Sequence, residues 1–108
     1  MKTVSWVWSL NRNDQLLGAP IETVNTFHPY RFQREFPKVL GNDWHVAFIT
    51  WDLVQTESPH GEVIVIVESL KRFVDFSNAS VPVVVIPVIE MMRQDYQAIA
   101  TRILSAVH

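Results

Sequence analysis

Two carboxylates, Asp52 and Glu90, each follow a run of apolar and β-branched residues, and Asn11 follows a third such run. A parallel α/β sheet gathers its ligand site beyond the carboxyl ends of its strands. If the three runs are parallel strands, their ends bring together Ser9, Asn11 and Arg12, then Thr50, Trp51 and Asp52, then Ile89, Glu90 and Met91. On this reading Asp52 and Glu90 stand on neighbouring strand ends. Two carboxylates so placed can divide general-acid and general-base work, or hold a divalent ion with Asn11. They can equally be two solvated carboxylates, one of them capping a turn. Trp51 adds a flat wall against which a ligand can stack. The candidate ligand-binding set is therefore Asn11, Trp51, Asp52 and Glu90.

Other chemistries find less support. The four histidines (His28, His45, His60, His108) show no metal-ligand spacing, and the chain has no cysteine, so thiolate zinc sites, iron–sulfur clusters, disulfides and Cys nucleophiles all fall away. His45, on a predicted strand, is read as a packing or hydrogen-bonding residue. Three isolated glycines exclude both the P-loop and the dinucleotide fingerprint. A Ser-His-Asp set can be assembled only from scattered residues with no nucleophile elbow. No resident metal or cofactor is expected.

Two further features have a plain and a sharper reading. Trp6 and Trp8 share a strand face, while Trp44 and Trp51 lie on opposite faces of another strand. They can be core packing, a stacking wall, or the anchors of a subunit contact. Arg31, Arg34 and Lys38 recur at helical spacing among Tyr30, Phe32 and Phe36. Basic residues beside aromatics can hold single-stranded nucleic acid or a nucleotide, but Glu35 offsets them, and a solvated helix face is the simpler account.

The elements that must position these residues follow from periodicity. Thr3 to Leu10 alternates with Val4, Trp6, Trp8 and Leu10 on one face, a strand pattern that Asn11-Arg12-Asn13-Asp14 breaks. Pro29 suits the first turn of a short helix through Phe36, with Pro37 and Gly41 limiting anything longer. Trp44 to Leu53 reads as a strand apolar on both faces. The stretch from Ser58 to Phe76 is ambiguous. Val63, Ile66, Val67, Leu70 and Val74 mark one helical face, and Ser58, Pro59 and Glu62 supply start signals, so a helix over 59–76 is predicted. Its rival is a hairpin, with a strand over 62–68 after a turn at Ser58-Pro59-His60-Gly61, since Val63 to Val67 are all β-branched. Val83 to Val88 is a strand ending, or lying at an edge, at Pro87. Asp95 caps a helix over 93–107 with a stripe of Tyr96, Ile99, Ile103 and Val107.

The chain has 108 residues, 9 Lys+Arg against 11 Asp+Glu, and 48% hydrophobic residues. That composition fits one folded domain over residues 1–108 and excludes a disordered polyelectrolyte. A net charge of -2 makes a dedicated nucleic-acid binder unexpected. No apolar run approaches the roughly 20 residues of a membrane span, and the first residues lack the apolar core of a secretion signal, so a soluble cytoplasmic chain is expected.

Val46-Ala47-Phe48-Ile49-Thr50, Glu62 through Asn78, Val83-Val84-Val85-Ile86-Pro87-Val88, the opening Met1-Lys2-Thr3-Val4 and the closing Ile103-Leu104 carry a resemblance. Over roughly two-thirds of its length the chain resembles the N-terminal editing domain of archaeal threonyl-tRNA synthetases, a fold shared with D-aminoacyl-tRNA deacylases. The resemblance implies a helix over residues 62–78 and hydrolysis of mischarged tRNA. The family has a small residue and then His after its Pro-terminated strand. Here Val88 to Glu90 stand in those places, so no catalytic residue carries over.

The expected architecture is α/β, with α+β as the alternative: a small mixed sheet of three to four strands, a βαβα C-terminal half, and helices over about 59–76 and 93–107. Three functional classes fit it. The first is a small-molecule or nucleotide binding module acting as a homo-oligomer. The second is an interaction or adaptor protein that works through its oligomer surface. The third is an editing-like aminoacyl-tRNA hydrolase. A homodimer is expected because an open apolar sheet edge invites pairing across a two-fold axis.

Overall fold

The computed structural model describes residues 2–12, 15–17, 29–52, 60–74, 76–77 and 79–107, with residues 11, 12, 15–17, 29 and 52 described by their backbone. In chain order the elements are β1 (Lys2–Arg12), β2 (Gln15–Leu17), α1 (Pro29–Leu40), β3 (Trp44–Asp52), β4 (Val63–Val67), α2 (Glu68–Lys71), β5 (Val83–Ile86), α3 (Val88–Met92) and α4 (Tyr96–Ala106). The class is α/β.

β1 is the spine of the sheet. It pairs in parallel with β3 on one side and with β4 on the other, and β4 pairs in parallel with β5. The parallel order is thus β3-β1-β4-β5, with β2 folded back antiparallel on the carboxyl end of β1 through Leu10↔Leu17. The chain leaves β1 for β3 on one side, then crosses to β4 on the other, so the order reverses between β1 and β4.

One helical layer covers the face that carries Val4 and Trp6. The Trp6 ring lies 5.4 Å from Phe32 and 5.3 Å from Phe36 of α1, and 5.6 Å from Phe48 of β3. Tyr96 of α4 closes on Phe32 at 5.4 Å, and Ile99 and Ile103 below it are fully buried. Asp95 caps α4 by accepting the N–H of Ala98 at 3.2 Å, as the spacing predicted. Tyr96 and Val107 complete the apolar stripe as half-buried residues against the core.

α1 runs further than the sequence suggested. It continues through Pro37 to Leu40 although Pro37 lacks a helical donor. Phe32, Phe36 and Leu40 form one buried face along it, and that burial outweighs the missing bond. Gly41, at φ +112, stops the helix, its N–H bonding the carbonyl of Pro37 at 3.2 Å.

The main correction concerns residues 59–76. Residues 63–67 are not a helix, nor one arm of a hairpin, but a parallel strand between β1 and β5, followed by the single helical turn α2. All five side chains of β4 are buried. A helix buries one stripe, whereas an inner parallel strand buries both faces, and five consecutive β-branched residues suit only the second. The helical spacing of Ile66, Val67 and Leu70 is a coincidence of a continuous apolar run. β5 ends at Ile86, and Pro87 begins the turn into α3.

Gly61 shows how closely the entry to β4 packs on β1. At φ +143, its missing Cβ would lie 2.9 Å from the carbonyl oxygen of Thr3 and 3.0 Å from Oγ of Ser5. The buried Ser5 hydroxyl in turn donates to the carbonyl of His60.

Candidate functional site

The strand order places the candidate site. In an open α/β sheet the crevice for a ligand lies outside the carboxyl ends of the two strands between which the order reverses, here β1 and β4. Val7 pairs with Ile66, so Ser9 on β1 and Glu68 and Ser69 after β4 come just beyond that register, and β2, paired with Leu10 to Arg12 on the side of β1 that β3 leaves free, flanks the same strand end.

A bulge shapes this end of β1. The register with β3 shifts between Val7 and Ser9, leaving Trp8 as the extra residue. Bulges re-aim side chains near functional sites. This one sets Ser9 opposite Thr50, and their hydroxyls bond at 2.7 Å. One residue further, Leu10 pairs with Trp51 and Asn11 with Asp52. Asn11, Trp51 and Asp52 therefore sit together at the carboxyl ends of β1 and β3. Trp51 is half-buried and packs on the core.

Glu90 does not join them. β5 lies at the opposite side of the sheet from β3, with β1 and β4 between, a separation of roughly 14 Å at normal strand spacing. Asp52 and Glu90 are thus not on neighbouring strand ends, and the two-carboxylate arrangement does not form. Glu90 lies in α3, where Arg102 of α4 grips it: Nε is 2.8 Å from Oε1, and Nη2 is 2.6 Å from Oε2. That guanidinium holds the Glu90 carboxyl below the usual range, against a weaker desolvation effect in the other direction. Its role is to join two helices.

Glu68 and Ser69 are the site residues that sequence reasoning missed. Glu68 Oε1 accepts the N–H of Val88 at 3.0 Å, and the Ser69 hydroxyl is buried without a hydrogen-bond partner among the described residues. The signal for both was the end of the Val63–Val67 run, hidden once that run was read as helix.

The remaining candidates resolve as packing or surface. Trp6 is core, and Trp8 lies 5.2 Å from Phe48 and 5.7 Å from Phe32 in the same aromatic cluster. Phe32 and Phe36 are buried, so they do not interleave with the cations of α1. Glu35 pairs with Lys38 at 3.3 Å and Arg34 at 3.2 Å. Those bonds, Lys38 first, draw its carboxyl below the ordinary value. His45 and His60 are exposed. Among the described residues no group of three His, Asp or Glu side chains is placed to hold a metal ion. Among them, too, no helix is long and apolar enough to cross a membrane.

No protein-family model matches the chain, and neither a curated protein nor a solved structure does.

Proposed function

We propose that the chain is a small-molecule-binding domain whose ligand sits at the carboxyl edge of the sheet, between the ends of β1 and β4. The reversal of strand order between those two strands carries the reading. The groups near these strand ends include the Ser9–Thr50 hydroxyl pair, the Ser69 hydroxyl and the Glu68 carboxylate, with Asn11 and Asp52 in register on the β3 side. Among the described residues the glycines, Gly41 and Gly61, lie near the amino ends of β3 and β4, away from where a phosphate cradle would stand. Such a lining favours a ligand rich in hydrogen-bond donors, a polyhydroxylated or amino compound, over a nucleotide held by its phosphates. The test is a titration of ¹⁵N-labelled protein with a library of such compounds. Supporting hits shift the amides of residues 9–12, 50–52 and 68–69 together, and Ser9→Ala or Thr50→Val weakens them. Hits that map elsewhere, or that bind both variants equally well, overturn the reading.

A second reading, assembly into a homodimer, is favoured by the flanks of the sheet. Among the described residues β3 and β5 each pair on one side only, and Val85 on β5 (37% exposed) and Ile89 just after it (53%) are exposed apolar residues. Pairing of like edges across a two-fold axis would extend the sheet and cover them. Sedimentation equilibrium tests this: a dimer that Val85→Lys dissociates supports it, and a monomer at millimolar concentration removes it.

A further inference from the structure

The amino edge of the sheet holds a cavity that the function proposed above does not use. It is an open depression of about 340 Å³ lined by Lys2, Trp44, Glu62, Pro82, Ala106 and Val107, with Lys2 and Glu62 exposed at its rim. That volume lies in the range of small-ligand sites. The lining comes from the starts of β1 and β3, the residues just before β4 and β5, and the last turn of α4.

The two charged residues are held in place but not by each other. Lys2 is the register partner of Trp44, and its Nζ lies over the Trp44 ring, 5.4 Å from the centroid. The Glu62 carboxylate accepts the backbone N–H of Thr3, while the N–H of Glu62 donates to the Thr3 carbonyl at 2.9 Å. Among the described residues neither Lys2 nor Glu62 belongs to an ion pair. One cation and one anion therefore border the same cavity, each anchored and each with bonding capacity to spare. Trp44, Pro82, Ala106 and Val107 form an apolar wall. The last turn of α4 carries no basic residue, so its carbonyl end adds partial negative charge to the cavity.

We infer that this cavity binds a small zwitterion with an apolar body, its carboxylate on Lys2, its ammonium on Glu62, and its body against Pro82 and Val107. A simple cation on Glu62 would meet the like charge of Lys2, and a simple anion on Lys2 would meet that of Glu62. A molecule carrying both charges satisfies both residues. L-phenylalanine is the simplest probe of that chemistry.

The experiment follows ¹⁵N shifts of the full chain during titration with L-phenylalanine, with its amide, which lacks the carboxylate, and with its N-acetyl derivative, which lacks the ammonium. The free amino acid is expected to shift the amides of Lys2, Trp44, Glu62 and Val107 saturably, and each capped form to bind about tenfold more weakly, the ratio for one lost charge-assisted bond. Lys2→Met, which keeps an unbranched stem over Trp44, and Glu62→Gln, which keeps an acceptor for Thr3, should each weaken the free amino acid to a similar extent. Equal binding of a capped form overturns the inference, as does the absence of saturable shifts up to about 10 mM. The residues read out lie at the opposite edge from Ser9 and Glu68, so failure here leaves the carboxyl-edge reading standing, and the converse holds.

Discussion

Glu68 Oε1 accepts the N–H of Val88 at 3.0 Å, so the first residue beyond β4 caps the helix that begins beyond β5. Pro87, at the cap position itself, makes no side-chain cap bond. Glu68→Ala should cost about 1 kcal/mol, the usual loss for a removed cap, and Glu68→Gln much less because an acceptor remains. Urea denaturation of the two variants checks this, and equal losses would assign the effect to the charge of Glu68 and not to the retained acceptor.

Glu90 and Arg102 give stability a pH dependence. The Glu90 side chain is 16% exposed and that of Arg102 46%, so the pair is partly screened. Because the folded carboxyl titrates below its ordinary value, its contribution is present above the normal carboxylate range and is lost as pH falls through the folded value. Glu90→Gln should lower Tm by a few degrees at pH 7, with the difference from wild type closing as pH falls through the lowered folded value. A difference that persists in acid would show that the loss is one of packing.

The two described glycines of positive φ should respond differently to alanine. Gly41 has open space where a Cβ would go, so Gly41→Ala carries only the left-handed backbone penalty of about 1 kcal/mol. Gly61→Ala adds a collision with the Thr3 carbonyl, and it should be clearly the worse of the two in thermal denaturation.

Ile103 is fully buried beneath α4. Ile103→Ala should destabilise by roughly 2–5 kcal/mol, and Ile103→Asp, which adds a charge with no partner, should prevent folding. Circular dichroism separates the outcomes. A folded Ile103→Asp protein would place this residue outside the core.

Much of this architecture is visible in the amino acids because it is local. The alternation of Thr3 to Leu10, the apolar run from Trp44, and Asp95 ahead of Tyr96, Ile99 and Ile103 each announce their element without reference to any other. Val63 to Val67 do not, because a strand enclosed on both faces loses its period of two, and Ser58-Pro59 imitates a helix start. What decides that stretch is the presence of β1 and β5 on either side, information that lies about 20 to 60 residues away. The site divides in the same way. Placing Asn11 beside Trp51 and Asp52 needed only two strand ends, whereas placing Glu90 required the order of the strands.

The central position of β1 also bears on how the protein is made. The ribosome completes β1 before any strand it pairs with, and about 50 residues separate Arg12 from Val63. At ordinary rates of translation that is a wait of roughly 3–10 s. Through that interval Val4, Trp6 and Val7 have no β4 beside them, so the nascent chain is most exposed to aggregation or chaperone capture before its third parallel strand leaves the exit tunnel.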